Sequence, residues 1–444
     1  MKNFYVSRRS FIRSAGVLAV GTALPVWFTE ELRAASAPTK ALGPNDKPNI
    51  ALIGCGGQGR YDTKLAEKFA TIVAVCDVDS SHATQAETQF PGSKAFKDFR
   101  KVLERDDIHA IINGTPDHWH TLVNLAAMHA GKDVYSEKPL TLTIDEGKHV
   151  VAVRNKTNRV LQTGSQQRSD PRFRLACELV RNGRIGKLQH VLASLPAGPR
   201  GGPFMSSTPP PELDWDFWQG QTKSVPYVKE KCHGSFRYWY DYSGGTMTDW
   251  GAHHNDIALW GIGLERSGPT SIEGKSLIDM IPGGFTAASQ YRVQYTYANG
   301  VTHTCQSVTT DGPDGSYHGE PPQGEMRNGV KFEGSDGWIF VTRGKIEASK
   351  PELLTEPLPA SAERLYASSN HMENFFDCIR SRKAPVADAE IGHRSVSVCH
   401  LGVLAIRLGR KLNWDPKKEV FVGDKEADSY LVREMRKPWS YETV

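Results

Sequence analysis

Two sets of residues in this sequence have types and spacings that chemistry can use. The first is Gly54-x-Gly56-x-x-Gly59, within GCGGQG, followed 23 positions after its first glycine by Asp77. Gly54 permits a tight turn, Gly56 (with Gly57 beside it) lets a pyrophosphate approach the backbone, and Gly59 lets a helix pack closely on a strand. Amide N–H groups at the start of the following helix would face an anion. An acid at this distance accepts hydrogen bonds from the ribose hydroxyls of an adenine dinucleotide. Its charge repels a 2′-phosphate, which favours NAD over NADP. The plain alternative for Asp77 is a solvated turn carboxylate, and Asp79 competes for the same role. The second set is Asp249 and His253, four residues apart. On one helix they share a face. Thr248 as an N-cap would place Asp249 in the first turn, where negative charge is favoured. Histidine titrates near neutral pH and suits general acid–base work. The same spacing also arises in surface or capping pairs that do no chemistry.

These residues need elements to hold them. NIALIG (49–54) and TIVAVC (71–76) are apolar runs of strand length, with a helical pattern over 60–70 between them. DIHAIIN (107–113) is a further strand leading into GTPDHWH. A helix follows over 121–130, and DVYS (133–136) is a short strand ending in Glu137-Lys138-Pro139. The alternation predicts an α/β chain whose residues 46–168 form a doubly wound parallel sheet of Rossmann type. In such a sheet ligands sit beyond the carboxyl ends of the strands. Gly54, Asp77, Thr115-Pro116 and Glu137-Lys138-Pro139 all fall there, so one cleft would hold them. Gln166 and Gln167 follow the last strand, VLQTG, in reach of a nicotinamide or a substrate; an interdomain hydrogen bond is the alternative. His118 and His120 either line the cofactor cleft or satisfy backbone groups.

From residue 169 to 416 the pattern changes. Helices are predicted over 171–181, 370–382 and 391–412, and a strand over 187–194. A long Pro-, Gly- and Trp-rich stretch spans 196–231. Trp215, Trp218, Trp239 and Tyr240 form either a face on which a sugar ring stacks or a core beneath that loop. Arg237 is a candidate contact for a substrate hydroxyl or carboxylate. Tyr291, Val293, Tyr295 and Tyr297 alternate up to Asn299-Gly300, a hairpin signal, and another strand pair flanks Gly334–Gly337. These strands fit a large open, mostly antiparallel sheet with one face on helices and the other on a partner subunit, hence a homo-oligomer. Residues 417–444 read as a tail.

The ends and the composition bound the function. SRRSFIRSAGVLAVGTALPVW sets Arg8 and Arg9 before a mildly apolar run, the pattern of a twin-arginine export signal over residues 1–35. The run is short and Gly/Ala-rich for a membrane anchor. Export places the mature chain in the periplasm or another extracytoplasmic space, with the twin-arginine machinery as a partner and no membrane contact once processed. The segment holds five basic residues (Lys2, Arg8, Arg9, Arg13, Arg33) against Glu30 and Glu31, so its removal takes the formal charge from +4 to about +1. No basic run with interleaved aromatics occurs, which excludes nucleic acid as a partner. The seven cysteines are odd in number and form no CxxC, so they read as buried hydrophobes rather than disulfides. His253 and His254 point about 100° apart on a helix and chelate one ion poorly, so no metal is expected.

The GxGxxG turn, the TPxxxH-like segment (Thr115, Pro116, His120), Glu137-Lys138-Pro139, GSQQRS (164–169) and GGTMTDWGAHHNDIALW (244–260) together resemble the glucose–fructose oxidoreductase/inositol dehydrogenase/MocA family, from about residue 49 to 416. The resemblance implies a Rossmann domain followed by an α/β domain, NAD as cofactor, and redox chemistry at hydroxyls of sugars, cyclitols and related compounds. It also implies that Lys138, Asp249 and His253 are catalytic and meet the substrate, and that His120 lies with the cofactor residues. The chemistry is consistent: a base takes the O–H proton while hydride leaves carbon, Lys138 steadies the developing alkoxide, and Asp249 orients His253 or binds a hydroxyl. An exported enzyme finds little free NAD, so the cofactor is expected to be tightly bound before export. Two rival readings use the same fold: a glycoside-cleaving enzyme working by transient oxidation and elimination, and a non-catalytic ligand-binding protein, against which the intact Lys138, Asp249 and His253 argue.

Overall fold

The structure, a computed structural model, describes residues 24–35, 47–308 and 327–442. The twin-arginine motif at Arg8 and Arg9 lies outside them. Asn49–Ile53 (β1) and Thr71–Cys76 (β2) are nearly continuous apolar runs, the pattern of strands covered on both faces. With Lys94–Phe96 (β3), Ala110–Asn113 (β4), Asp133–Ser136 (β5) and Leu161–Thr163 (β6) they form a six-stranded sheet in the order β3-β2-β1-β4-β5-β6. Every neighbouring pair is parallel. This is the predicted doubly wound sheet, and its order reverses between β1 and β4. β3 is too short, at three residues, to carry a readable pattern.

The first helix after β1 runs Gly57–Ala66, three residues ahead of the predicted start, because Gly56 takes the N-cap position. Gly54 has φ +90, where a side chain is strained, and a Cβ there would stand 2.4 Å from the Thr115 amide nitrogen. A Cβ on Gly59 would stand 2.1 Å from the Gly54 carbonyl. These close approaches bring the ends of β1 and β4 together. Asp79 and Asp98 cap the next two helices through their side-chain oxygens.

Leu188–Pro196 (β7), Ser271–Ser276 (β8), Tyr291–Thr296 (β9), Thr302–Val308 (β10), Gly329–Gly334 (β11), Trp338–Thr342 (β12), Lys345–Ala348 (β13), Leu412–Asp415 (β14) and Val420–Phe421 (β15) build the second sheet, in the order β13-β12-β11-β7-β10-β9-β8-β14-β15. Only β7 and β10 pair in parallel. The predicted hairpin is β9–β10, with Thr296 opposite Thr302. Tyr291, Val293, Tyr295 and Tyr297 are all buried under helices Gly251–Ile262 and Ala389–Leu408. The seven cysteines are buried and unpaired.

Two predicted boundaries do not mark the limits of packing. Helix Val26–Ala35, read as part of a removable leader, docks on the second domain. Phe28 is fully buried in its core, with the Arg174 guanidinium 4.8 Å from the ring centroid. Trp27 Nε1 donates to the Leu354 carbonyl at 3.1 Å, and Glu31 pairs with Arg364 at 3.2 Å. Hydrophobicity alone cannot separate a leader from a helix with one buried face. In the unprocessed chain Phe28→Ala is expected to cost roughly 3–5 kcal/mol in a urea titration; an unchanged midpoint there would refute the docking. At the other end, the predicted tail folds back. Trp414 pairs with Phe421 across β14–β15. Trp439 meets Trp119 edge-on at 4.9 Å and stacks on Phe217 at 5.7 Å.

Candidate active site

The carboxyl ends of the first sheet and one edge of the second domain face each other across a trough. Its first part, a cleft of about 510 Å³, is walled by Gly54, Gly56, Gly57, Asp77, Thr115 and Pro116. Its second part, about 910 Å³, is walled by Glu137, Lys138, Gln166, Asp249 and His253. Gln58, Gly234 and Arg237 border both, which makes them one continuous site. Volumes of this order suit organic ligands.

The first cleft fits a dinucleotide. A Cβ on Gly56 or Gly57 would have no atom within 4 Å, so the backbone there faces open space. The Gly57–Ala66 helix has no side-chain cap, which leaves its N-terminal N–H groups for an anion. Asp77 sits at the end of β2 with Oδ2 accepting from the Cys55 amide at 2.7 Å and Oδ1 from the Asp79 amide at 2.9 Å. Its rival Asp79 is spent on local structure: Oδ1 accepts from the amides of Ser81 and His82. His120 is not on the wall. Its ring lies between two carbonyls, Nδ1 at 2.7 Å from Pro139 O and Nε2 at 2.8 Å from Thr115 O, and ties together the loops that end β4 and β5. Of the two readings offered for it, the backbone one matches this geometry. His118 behaves alike, its Nε2 2.8 Å from the Trp218 carbonyl.

The second cleft centres on an ion pair. Lys138 Nζ donates to Asp249 Oδ1, and Arg237 Nε lies 3.6 Å from the same oxygen. Burial alone would raise the Asp249 carboxyl, but Lys138 and Arg237 outweigh it and hold the group below the usual carboxylate range. Glu137 is buried; its Oε1 accepts from Gln166 Nε2 at 3.0 Å and its Oε2 from the Lys138 amide at 3.2 Å. It thereby braces both neighbours. His253 is 5% exposed, and its Nδ1 has no hydrogen-bond partner. Burial, then the positive charges of Lys138 and Arg343, push its pKa well below the ordinary value of 6.5. The imidazole is therefore neutral at neutral pH and able to accept a proton.

The helix carrying the pair differs from expectation. Thr246–Asp249 is a separate short helix with Gly245, not Thr248, at its N-cap, and Gly251–Ile262 starts anew after Trp250. Thr248 lies inside the short helix, its Oγ1 accepting from the Gly244 amide at 2.9 Å. Asp249 still lies in a first turn, that of a four-residue helix which it also ends, and it turns to Lys138 instead of orienting His253. The aromatic stretch is also settled. Trp215, Trp218 and Trp239 are buried in one core beneath the loop, and Tyr240 lies between Arg407 and Arg433. The second cleft takes its aromatic lining from Trp250, Tyr61 and Tyr238, with Arg343 4.8 Å from the Trp250 centroid. Neither Trp250 nor Arg343 was singled out from the sequence, since a lone Trp and a strand-end Arg carry no spacing signal.

A base that must be neutral loses activity only when it is protonated. With its folded pKa well below 6.5, His253 puts the acid limb of kcat/KM well below pH 6.5. A limb centred at or above that value would exclude His253 as the base.

The chain is similar to known proteins. The profile described as "Oxidoreductase family, NAD-binding Rossmann fold" matches residues 48–165, and "Oxidoreductase family, C-terminal alpha/beta domain" matches 203–441. A glycosyl hydrolase family 109 protein of Shewanella pealeana is 29% identical over 212 residues, 42% of this chain and 45% of that protein. Myo-inositol 2-dehydrogenase of Thermotoga maritima is 30% identical over 168 residues, 37% of this chain and 47% of its own. The chain spans about half the length of these curated relatives. Among solved structures, the WlbA dehydrogenase of Bordetella pertussis, in complex with NADH and UDP-GlcNAcA, has a TM-score of 0.61 at 18% identity, over 83% of this chain and 99% of that one.

Proposed function

The chain belongs to the Gfo/Idh/MocA oxidoreductase family, and on that premise we propose that it is an exported, NAD-dependent oxidoreductase acting on a hydroxyl-bearing carbon of a sugar, cyclitol or glycoside. The observation that carries the reading is the single trough in which an open glycine turn at one end meets Lys138, Asp249 and the neutral His253 at the other. The turn at Gly54–Gly59 and Asp77 would hold the nucleotide, with Thr115, Pro116 and Gln166 alongside. NAD supplies the hydride acceptor. The protein's own groups manage the proton and the charge. His253 takes the hydroxyl proton at its imidazole nitrogen. Lys138, held in place by Asp249, aims positive charge where the alkoxide develops. Arg237 and Trp250 bound the substrate side.

Export is proposed from the Arg8-Arg9 motif. Outside the cytoplasm free NAD is scarce, so the cofactor is proposed to stay bound through turnover, as NAD rather than NADP given Asp77. A homo-oligomer formed through the open sheet is proposed on the same footing. A second reading, transient oxidation followed by elimination of an aglycone, is supported by the likeness to the glycosyl hydrolase family 109 protein, and it would use the same residues.

The test is spectroscopic. The purified protein is denatured and its supernatant examined for nucleotide, then the native protein's absorbance in the reduced-nicotinamide band is followed on adding a panel of sugars and glycosides. A lasting change identifies an oxidised or reduced substrate. Release of an aglycone without lasting change favours the cleaving reading. No nucleotide and no response to any member with added NAD would defeat both.

A further inference from the structure

We infer that the second domain completes the cofactor site: the loop between β7 and the Thr246–Asp249 helix roofs the adenosine half of the nucleotide, with Phe217 over the base and His233 over the ribose. This rests on the proposed NAD-binding reading and adds who else holds the nucleotide. A doubly wound domain by itself offers a dinucleotide one wall, the strand ends, and leaves the adenosine half toward solvent. Here that half has an opposite wall. Phe217, Trp218, His233 and Phe236 line the first cleft facing Gly54, Asp77 and Thr115.

The two ends of the cleft differ in chemistry. Around Phe217 it is aromatic: Phe99 and Trp119 from the nucleotide domain border the same space, and Trp119 meets Phe217 edge-on at 5.6 Å. A flat, apolar base suits such a slot, and base–aromatic contacts are worth about 1–3 kcal/mol each. Around His233 the cleft is polar. Asp77 lies there, and the His233 ring sits 4.6 Å from that of His82, with Nε2 3.3 Å from Asp79 Oδ2. Asp79, His82 and His233 bring their ligand atoms within 4.8 Å of one another, joining the two domains at this point. His233 also has φ +50, an uncommon backbone for a non-glycine residue that the surrounding loop imposes.

The roof is fixed rather than free. Residues 212–214 pair with 78–80: Ser80 N donates to Glu212 O at 2.9 Å, and Asp214 N to Val78 O at 3.1 Å. Lys97 pairs with Asp214 at 2.8 Å. His118 Nε2 and Trp119 Nε1 both reach the Trp218 carbonyl. At Gly220 the loop comes so near that a Cβ would meet the Trp119 ring at 2.3 Å. From the C-terminal segment, Arg436 Nε donates to Gly220 O at 2.9 Å. A nucleotide beneath this roof leaves only when several of these ties open, which makes slow exchange a property of the second domain.

The test uses the full-length protein and the variants Phe217→Ala, at a half-buried residue, and His233→Ala, at one whose side chain is 42% exposed. Each is loaded with NADH, and release into excess NAD is timed by the loss of tryptophan-to-nicotinamide energy transfer. Release at least 10-fold faster in both variants, each still unfolding cooperatively without nucleotide, is expected. If wild-type protein holds nucleotide and both variants release it at the wild-type rate, the roof is refuted while tight binding stands. If wild-type protein exchanges nucleotide freely, tight binding fails. The roof is then judged by the NADH dissociation constant, where values within twofold of wild type in both variants overturn it. Should one variant lose fold, the other decides.

Discussion

Replacing Lys138 by methionine lowers kcat by on the order of 10³-fold while nucleotide remains bound. Methionine keeps most of the stem and removes the charge. Lys138 lies in the second cleft with its ammonium on Asp249 Oδ1, a partner that costs the lysine freedom and fixes where it points. Charge placed this way acts on the alkoxide, which exists only along the reaction path. The loss therefore falls on kcat and kcat/KM together, with KM little changed. Asp249 would keep Arg237, at 3.6 Å, and the weaker influence of Arg343; since burial raises its carboxyl and Lys138 is the leading influence that lowers it, its pKa rises in the variant. Steady-state rates on the substrate found by the sugar panel, with nucleotide content measured in parallel, make the check. A kcat within a few-fold of wild type would remove Lys138 from the chemistry.

Asp256→Ala destabilises the protein by roughly 3–5 kcal/mol. Asp256 is fully buried and grips Arg168 in a two-pronged pair, Nε to Oδ2 at 2.7 Å and Nη2 to Oδ1 at 2.8 Å. Ser395 Oγ also donates to it, and the Trp260 ring lies 4.7 Å from the guanidinium. Removing the carboxylate leaves a buried cation without its counter-charge, which is the costly case. Replacing both partners, Arg168→Met with Asp256→Leu, should recover much of the stability, because the desolvation cost goes with the pair. Arg168 follows β6 at the end of the nucleotide domain, and Asp256 stands one turn beyond His253 on the Gly251–Ile262 helix. The double variant is thus expected to fold but to lose kcat, as His253 is no longer registered against Lys138. Urea midpoints and kcat on the three proteins test this. A single variant losing less than about 1 kcal/mol would contradict the buried-pair account.

Much of this molecule was legible in its residues because local periodicity reports it. The apolar runs of β1, β2, β4 and β5, the alternation of Tyr291 to Tyr297 and the Asn299-Gly300 turn are short-range signals, and the strands formed there, β4 starting at Ala110 rather than at the predicted 107. The glycine turn was legible too, since close backbone approach at Gly54 and Gly59 excludes any side chain. The limits of the folded body were not. Phe28, within the predicted leader, and Trp439, within the predicted tail, carry no local sign of their partners Arg174 and Trp119.

The sequence by itself determined the doubly wound domain and the nucleotide turn, which depend on spacing within one βαβ unit, while Lys138, Asp249 and His253 were picked out by their motifs and the family resemblance. Tertiary structure alone decided what those residues face. It set Asp249 on Lys138 rather than on His253, withdrew His120 behind the cleft, and brought Phe217 and His233 into the wall of the first cleft. Lys138 and Asp249 stand 111 residues apart, and their meeting follows from how two domains pack, which no local pattern encodes.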